Sequence, residues 1–105
     1  MLREGISSWE ILDVLEKMNT DEVETYTRGG VLLFLVDINK NKELIEKIIP
    51  SENMQKYKQY CNDTYGFYEK DEEKGLLNMC GVIQMIEEEE NKELLYIDGE
   101  FSYSS

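Results

Sequence analysis

The most apolar stretch of the chain is residues 31–38, with the sequence VLLFLVDI. Seven of its eight residues are large and apolar, and they occupy both alternating faces of an extended chain. This pattern predicts a β-strand that is buried on both sides. The stretch is well short of the roughly 20 residues that a membrane-spanning helix needs. We therefore expect the rest of the domain to be built around this strand.

A helix is predicted near the N-terminus. Ser7 and Glu10 form a capping-box pattern, in which the hydroxyl and the carboxylate bind the free amides at a helix start. Apolar residues then recur at helical spacing, at Ile11, Leu12, Leu15 and Met18. The pattern predicts a first helix from about Ser8 to Asn19.

A β-hairpin is predicted to follow. Residues 23–27 alternate and are rich in strand formers, and Gly29 and Gly30 suit the two central positions of a type I′ turn. This turn fixes the register of the strand against residues 31–38. The register places Tyr26 opposite Leu33 and Thr25 opposite Phe34.

Two helices are predicted in the middle of the chain. Asn41 can cap the first, whose apolar residues are Leu44, Ile45, Ile48 and Ile49. Pro50 should end this helix, because the residue before a proline is pushed out of helical geometry. Ser51 can cap the second helix over residues 52–62, with inner residues Met54, Tyr57, Tyr60 and Cys61.

The last third of the chain is predicted to be mainly sheet. Residues 64–69 (TYGFYE) suggest a short aromatic strand, and residues 71–75 suggest a turn. Residues 76–87 are ambiguous, because their apolar spacing suits a helix but Gly81 followed by Val82 and Ile83 favours a strand. We predict a strand there.

The clearest hairpin signal lies at residues 94–103, where Asp98 and Gly99 separate two short strands. It pairs Tyr96 with Phe101 and Leu94 with Tyr103 on one side. The predicted fold class is α+β, a single domain over residues 1–105. Its order is an N-terminal helix, a β-hairpin, two central helices and an antiparallel meander, forming one sheet packed against helices.

The chain has a net charge of −12, and the negative charge is concentrated in the last third. Residues 61–105 carry 3 basic and 12 acidic groups, whereas residues 40–60 carry 5 basic and 3 acidic groups. Such a surface repels nucleic acid and anionic membranes, and it attracts basic proteins in a salt-dependent way. The first residues lack the apolar core of a secretory signal, which favours a cytoplasmic protein.

The chain contains few of the residue patterns that indicate catalysis or metal binding. It contains no histidine, which excludes mechanisms that need an imidazole base. Cys61 and Cys80 form no CxxC pair, so we expect packing thiols in a reducing compartment. Residues 37–41 match part of a calcium-binding EF-hand loop, but Lys42 and Ile48 stand where a glycine and a glutamate are needed. A strand end leading into a helix cap explains the same residues. We predict no enzyme activity, no metal and no cofactor.

The most unusual feature is the acidic run at Glu87, Glu88, Glu89 and Glu90, followed by Glu93. One interpretation is a solvated strand end or loop, or charge that protects the preceding apolar segment from edge pairing. The other is a surface that imitates a nucleic-acid backbone, since neighbouring carboxylates on a helix or strand lie about 5–7 Å apart. A second acidic group can extend this surface if the sheet brings the two turns together, namely Asp71, Glu72 and Glu73.

Aromatic residues adjoin the acidic third of the chain, at Tyr57, Tyr60, Tyr65, Phe67 and Tyr68. Most should pack in the core, but tyrosine is also favoured at binding hot spots. We therefore add three of them to the acidic groups as candidate partner-binding residues. The full set is Asp71, Glu72, Glu73, Glu87, Glu88, Glu89, Glu90, Glu93, Tyr65, Phe67 and Tyr68.

These features predict a non-enzymatic, cytoplasmic protein that inhibits a basic, nucleic-acid-handling protein by nucleic-acid mimicry. The partner would be a nuclease, a restriction or CRISPR effector, or a nuclease toxin, and the chain itself would bind neither nucleic acid nor membrane. Small acidic phage inhibitors and immunity proteins share this size and charge, a likeness that is compositional and rests on no motif. The alternative is a self-associating structural or regulatory module, such as a homodimer, whose charge serves only solubility.

Overall fold

The computed structural model describes residues 1–18, 27–28, 31–32, 34–65 and 75–103, with the backbone alone at residues 27, 28, 31, 32 and 65. The helices are α1 (Ser8–Lys17), α2 (Lys42–Ile48), α3 (Met54–Tyr65) and α4 (Cys80–Glu90), with a 3₁₀ turn at Ser51–Asn53. The strands are β1 (Thr27–Arg28), β2 (Val31–Leu32), β3 (Leu35–Asp37), β4 (Leu76–Asn78), β5 (Leu94–Ile97) and β6 (Glu100–Tyr103). The predicted α+β class is confirmed.

The capping box at the start of α1 is confirmed. The Glu10 amide donates to Ser7 Oγ at 3.4 Å, and the Ser7 amide donates to Glu10 Oε2 at 2.9 Å. Ile11, Leu15 and Met18 are buried as the apolar spacing predicted. The helix ends at Lys17, and the predicted end at Asn19 lies outside the described residues.

The prediction of one strand over residues 31–38, buried on both sides, is wrong. Within the described part, β2 and β3 are separate, and Phe34 lies outside both. Phe34 and Val36 are fully buried, whereas Leu35 and Ile38 are half-buried. The Phe34 carbonyl accepts from the Met79 amide at 2.7 Å, but the Phe34 amide donates to the side-chain Oδ1 of Asn78 and not to a strand carbonyl, so the β3–β4 pairing ends at this residue.

The first hairpin has the predicted register. Thr27 pairs with Leu32 and Arg28 pairs with Val31, as the two-residue turn requires. The turn itself and three residues of the predicted pairs lie outside the described residues, namely Gly29, Gly30, Thr25, Tyr26 and Leu33.

The two central helices are confirmed with shifted ends. Asn41 stands at the N-cap of α2, but its side-chain oxygen accepts no capping bond from the helix amides, and its Nδ2 donates to the Asp37 carbonyl at 3.0 Å. Pro50 ends the α2 segment and opens the 3₁₀ turn, so Ser51 begins that turn and does not cap α3. The third helix continues to Tyr65, past its predicted end at Asn62. It thereby takes the first two residues of the strand predicted at 64–69, and residues 66–69 are not described.

The predicted strand over residues 76–87 is also wrong. Only Leu76–Asn78 are extended, and residues 80–90 form α4. Val82, Ile83 and Ile86 are buried at helical spacing, which is the alternative that the sequence left open. The packing explains why this helix position is a glycine. A Cβ at residue 81 would come within 3.0 Å of the Tyr57 ring and hydroxyl and 3.2 Å of Cys61 Sγ. The glycine therefore marks a close helix contact and not a strand.

The strands of the described residues form three two-stranded antiparallel sheets, in place of one sheet with a C-terminal meander. β3 pairs with β4, with Val36 opposite Leu77. Because α4 follows β4 directly, β4 cannot turn back into β5. Instead β5 pairs with β6 alone, in the predicted register of Tyr96 with Phe101 and Leu94 with Tyr103.

The β5–β6 hairpin is held on the core by aromatic contacts. The Phe34 ring lies 5.3 Å from the Tyr96 ring and 5.6 Å from the Phe101 ring, measured between centroids. The backbone of Asp98 and Gly99 has positive φ, as a type I′ turn requires. In the part of the chain that the structure describes, no helix has the length and apolar content to cross a membrane.

The close contact at Gly81 generates the first prediction. Alanine normally favours a helix over glycine by about 1 kcal/mol, but Gly81→Ala should destabilise the domain by about 1–3 kcal/mol. The reason is that Tyr57 is fully buried and its hydroxyl is held by the Asn78 carbonyl at 2.6 Å, so its ring has little room to move away. Urea unfolding measures the change. Gln55→Ala, at an exposed and uncharged position of α3, is the control; a Gly81→Ala variant as stable as the wild type would contradict the packing argument.

Candidate functional site

The acidic run forms the C-terminal end of α4, and not a strand end or a loop. Glu88, Glu89 and Glu90 are exposed, whereas Glu87 is half-buried. Because successive residues turn by about 100° around a helix, the carboxylates are spread around the helix end. The sequence shows where the acidic residues are along the chain, and the structure shows in which directions their carboxylates point.

Glu87 has a structural role. Its Oε2 accepts from the Leu94 amide at 3.0 Å, which fixes the start of β5. Its carbonyl also accepts from the amides of Asn91 and Lys92, where the chain leaves the helix through the left-handed conformation of Asn91. These contacts occupy Glu87, so the candidate surface at this end is reduced to Glu88, Glu89 and Glu90, hereafter the α4 acidic end.

The α4 acidic end opposes the helix dipole. The C-terminus of a helix carries a partial negative charge, so carboxylates are unfavourable there and cations are favourable. No ion pair joins these three glutamates to a lysine or arginine among the described residues. The ammonium of nearby Lys92 instead lies over the Tyr103 ring, 5.6 Å from its centroid. The charge is thus placed where it costs the fold stability.

Two tyrosines adjoin the α4 acidic end. Burial raises the pKa of Tyr60, and the Glu88 carboxylate adds to the effect. Burial likewise raises the pKa of Tyr103, with a further contribution from Glu90. The carboxylates of Glu88 and Glu90 therefore act on phenol groups of α3 and β6. One of these, Tyr60, belongs to the predicted aromatic group.

The other predicted contact residues have mixed outcomes. Glu93 is exposed in the turn between α4 and β5, next to the acidic end in the chain. Tyr65 is the last residue of α3, where only its backbone is described. The remaining five lie outside the described residues, namely Phe67, Tyr68, Asp71, Glu72 and Glu73. The joining of two acidic turns therefore stays a prediction.

Sequence reasoning missed an apolar surface on the β5–β6 hairpin. Leu95 and Ile97 are 40% and 61% exposed, on the face opposite to Tyr96. The signal was present in the run LLYI, since a two-stranded hairpin can turn only one of its faces to the core. Trp9 on α1 is also exposed, at 71%.

A buried polar cluster is a second place where chemistry could be sought. The Tyr57 hydroxyl donates to the Asn78 carbonyl at 2.6 Å, and Asn78 Oδ1 accepts from the amides of Phe34 and Cys80. The side-chain nitrogen of Asn78 has no hydrogen-bond partner among the described residues. Burial, with the neighbouring Cys61, raises the pKa of Tyr57 well above its usual value. All of these groups are buried and out of reach of a substrate. Their role is structural, since the bond from Tyr57 to Asn78 holds α3 against the start of α4.

Both cysteines are buried, as predicted for packing residues, and they are thiols rather than a disulfide. The residues that resemble an EF-hand loop form the turn from β3 into α2, where the Lys40 amide donates to Asp37 Oδ1 at 3.0 Å. Within the described ranges, no three His, Cys, Asp or Glu side chains converge on one point. A depression of about 170 Å³ near α2 is lined mainly by apolar side chains, with Lys42, Glu46 and Ser51 at its border.

Comparisons with the known protein families, with curated proteins and with solved structures find no match to this chain. Its function has therefore to be argued from its own residues.

The unfavourable position of the α4 acidic end generates a stability prediction. Replacing Glu88, Glu89 and Glu90 together by Gln should raise the free energy of unfolding by about 1 kcal/mol at low salt, because the repulsion from the helix dipole is removed. The gain should shrink as salt screens the charges. Urea unfolding at two salt concentrations tests this. A loss of stability in the triple variant would mean that these carboxylates support the fold.

Tyr57 generates a pH prediction. In the unfolded chain a tyrosine ionises near pH 10, whereas the buried Tyr57 stays protonated to higher pH. Above about pH 10 the unfolded state therefore binds fewer protons, and the free energy of unfolding should fall as the pH rises. Tyr57→Phe should lose about 1–3 kcal/mol at neutral pH, because the Asn78 carbonyl loses its donor, but should show a shallower alkaline decline. Tyr60→Phe, at a less buried ring, should change the decline less; equal slopes in wild type and Tyr57→Phe would contradict this account.

Proposed function

We propose that this chain is a non-enzymatic binding protein that inhibits a basic, nucleic-acid-handling protein. The carrying observation is the α4 acidic end, where Glu88, Glu89 and Glu90 are exposed against the helix dipole. Among the described residues no lysine or arginine pairs with these carboxylates, and only Glu88 accepts a long hydrogen bond, from Gln84 Nε2 at 3.5 Å. A local rule of stability that is broken in this way is typical of a functional surface. A cationic groove would neutralise both the carboxylates and the negative end of the helix.

The charge density of this helix end supports mimicry of nucleic acid. Successive helix residues rise by about 1.5 Å along the axis, so consecutive glutamates carry about one charge per 1.5 Å. Duplex DNA carries one negative charge per roughly 1.7 Å of its axis. Because the carboxylates are spread around the helix end, only a concave surface that encloses this end would meet a similar linear density. The net charge of −12 would also steer a basic partner towards the chain.

The partners that fit are nucleases, restriction or CRISPR effectors and nuclease toxins, because each carries a cationic groove for nucleic acid. The chain would occupy that groove and exclude the substrate. We propose the cytoplasm as the place of action, since two buried thiols that form no disulfide suit a reducing compartment.

Self-association, the alternative, has less support. It was inferred from residues 31–38, whose two apolar faces a chain of this size was not expected to cover without a second copy. In the described part of that stretch, Leu35 and Ile38 are already half-buried within the chain. A second copy would also bring an equal negative charge to the interface, which like-charge repulsion opposes.

The first experiment is a capture from nuclease-treated host lysate on the immobilised chain, eluted with rising salt. Supporting evidence is a basic nucleic-acid enzyme that the rising salt releases and whose activity the chain inhibits in a purified assay. Retention of only the chain itself at every salt concentration would favour the alternative.

The acidic end is then tested on that purified partner. Replacing Glu88, Glu89 and Glu90 by Gln should weaken binding at low salt by about tenfold or more and flatten its salt dependence. The matched control changes Glu43, Glu46 and Glu52 to Gln. It removes an equal number of negative charges, at exposed positions on and after α2. Titration calorimetry measures both. Equal affinities of the wild type and the acidic-end variant would refute mimicry by this helix.

A further inference from the structure

The outer face of the β5–β6 hairpin is an exposed apolar surface. Leu95 and Ile97 point away from the core, because Leu94 is buried and the Tyr96 ring packs on Phe34. They are neighbours on one face of the strand, about 6.6 Å apart along it. Together they expose about as much area as one whole aliphatic side chain.

The hairpin does not cover this face itself. Across the ladder, Leu95 faces Ser102 and Ile97 faces Glu100. A hairpin that packs one face on the core usually carries polar residues on the other, and threonine would serve the strand equally well. The two aliphatic side chains are therefore not needed for pairing.

The border of this face is acidic. Glu93 precedes the strand, Asp98 is in the turn and Glu100 begins β6, and all three are exposed. The border also approaches the α4 acidic end, since the ammonium of Lys92, two residues after that end, lies 5.6 Å from the centroid of the Tyr103 ring of β6. An apolar centre with a charged rim is the usual anatomy of a protein-binding site. The sign of the rim requires a cationic occupant and opposes a second copy of this chain.

We propose that the outer face of the β5–β6 hairpin is the apolar anchor of the interface with the basic partner. It docks a lysine- or arginine-rich segment that carries apolar side chains between its basic ones. This proposal rests on the proposed function. It adds an apolar contact to the electrostatic contact of the α4 acidic end. Salt screens the attraction of the carboxylates, whereas the burial of Leu95 and Ile97 persists at high salt.

The test uses two labelled dodecapeptides, one of lysine alternating with valine and one of lysine alternating with serine. Fluorescence anisotropy gives their affinities at about 50 mM and about 500 mM salt. The wild type should prefer the lysine–valine peptide, by about tenfold to a hundredfold at the higher salt. The double variant Leu95→Thr with Ile97→Thr should lose this preference and keep its low-salt affinity for the lysine–serine peptide.

Three controls make the result decisive. Urea unfolding shows whether the double variant is folded, and Ile97→Thr alone, at the more exposed position, replaces it if it is not. Trp9→Gln removes an exposed apolar side chain from α1, outside the hairpin, and should keep the preference. A preference that survives in the hairpin variants, or that Trp9→Gln abolishes equally, overturns the proposal. So does light scattering that shows a wild-type dimer which the double variant abolishes, because a second copy would then occupy the face.

The two proposals fail in different ways. If the lysine–serine peptide does not bind at low salt, or binds equally well after the change of Glu88, Glu89 and Glu90 to Gln, the acidic end has no role in binding. If that binding is present but the valine peptide gains nothing from Leu95 and Ile97, the anchor alone is refuted.

Discussion

The burial of Phe34 is the interaction on which the rest of the described structure depends. Its backbone binds the side chain of Asn78 and the amide of Met79, which ties β3 to the start of α4. Its ring contacts Tyr96 and Phe101, which fixes the β5–β6 hairpin. One residue thus connects α4, which carries the exposed charge, with the hairpin that carries the exposed apolar surface.

The same arrangement separates what stabilises the fold from what faces solvent. Glu87 holds the start of β5, while the three glutamates after it make no hydrogen bond or ion pair with another element among the described residues, and only Glu88 accepts a long bond, from Gln84 of its own helix. In the hairpin, Tyr96 packs inward while Leu95 and Ile97 face outward. In α4 the outward-facing residues are ones that a neutral substitute would improve for stability, and in the hairpin they are ones that a polar residue could replace. Exposed charge beside exposed apolar surface is the composition typical of a protein-binding site.

The candidate site was only partly predictable from the sequence. Four consecutive glutamates are visible without any structure, but their cost depends on their being at a helix end, where the dipole acts on them. The separation of Glu87 from Glu88 depends on where Leu94 lies, which no local pattern states. Leu95 and Ile97 could have been found, because a run of four apolar residues in a two-stranded hairpin must expose two of them. Which two are exposed follows from the contact of Tyr96 with Phe34.

The sequence by itself determined the elements whose signals are local. The capping box of Ser7 and Glu10 and the turn at Asp98 and Gly99 are set by hydrogen bonds and backbone preferences within a few residues. Tertiary structure alone decided between strand and helix for residues 80–90, since both periodicities were present. A helix results because Gly81 lets α4 approach Tyr57 and Cys61 of α3, a contact between distant parts of the chain. The same contact places the acidic run at a helix end, so the presentation of the charge was decided by packing and not by the run itself.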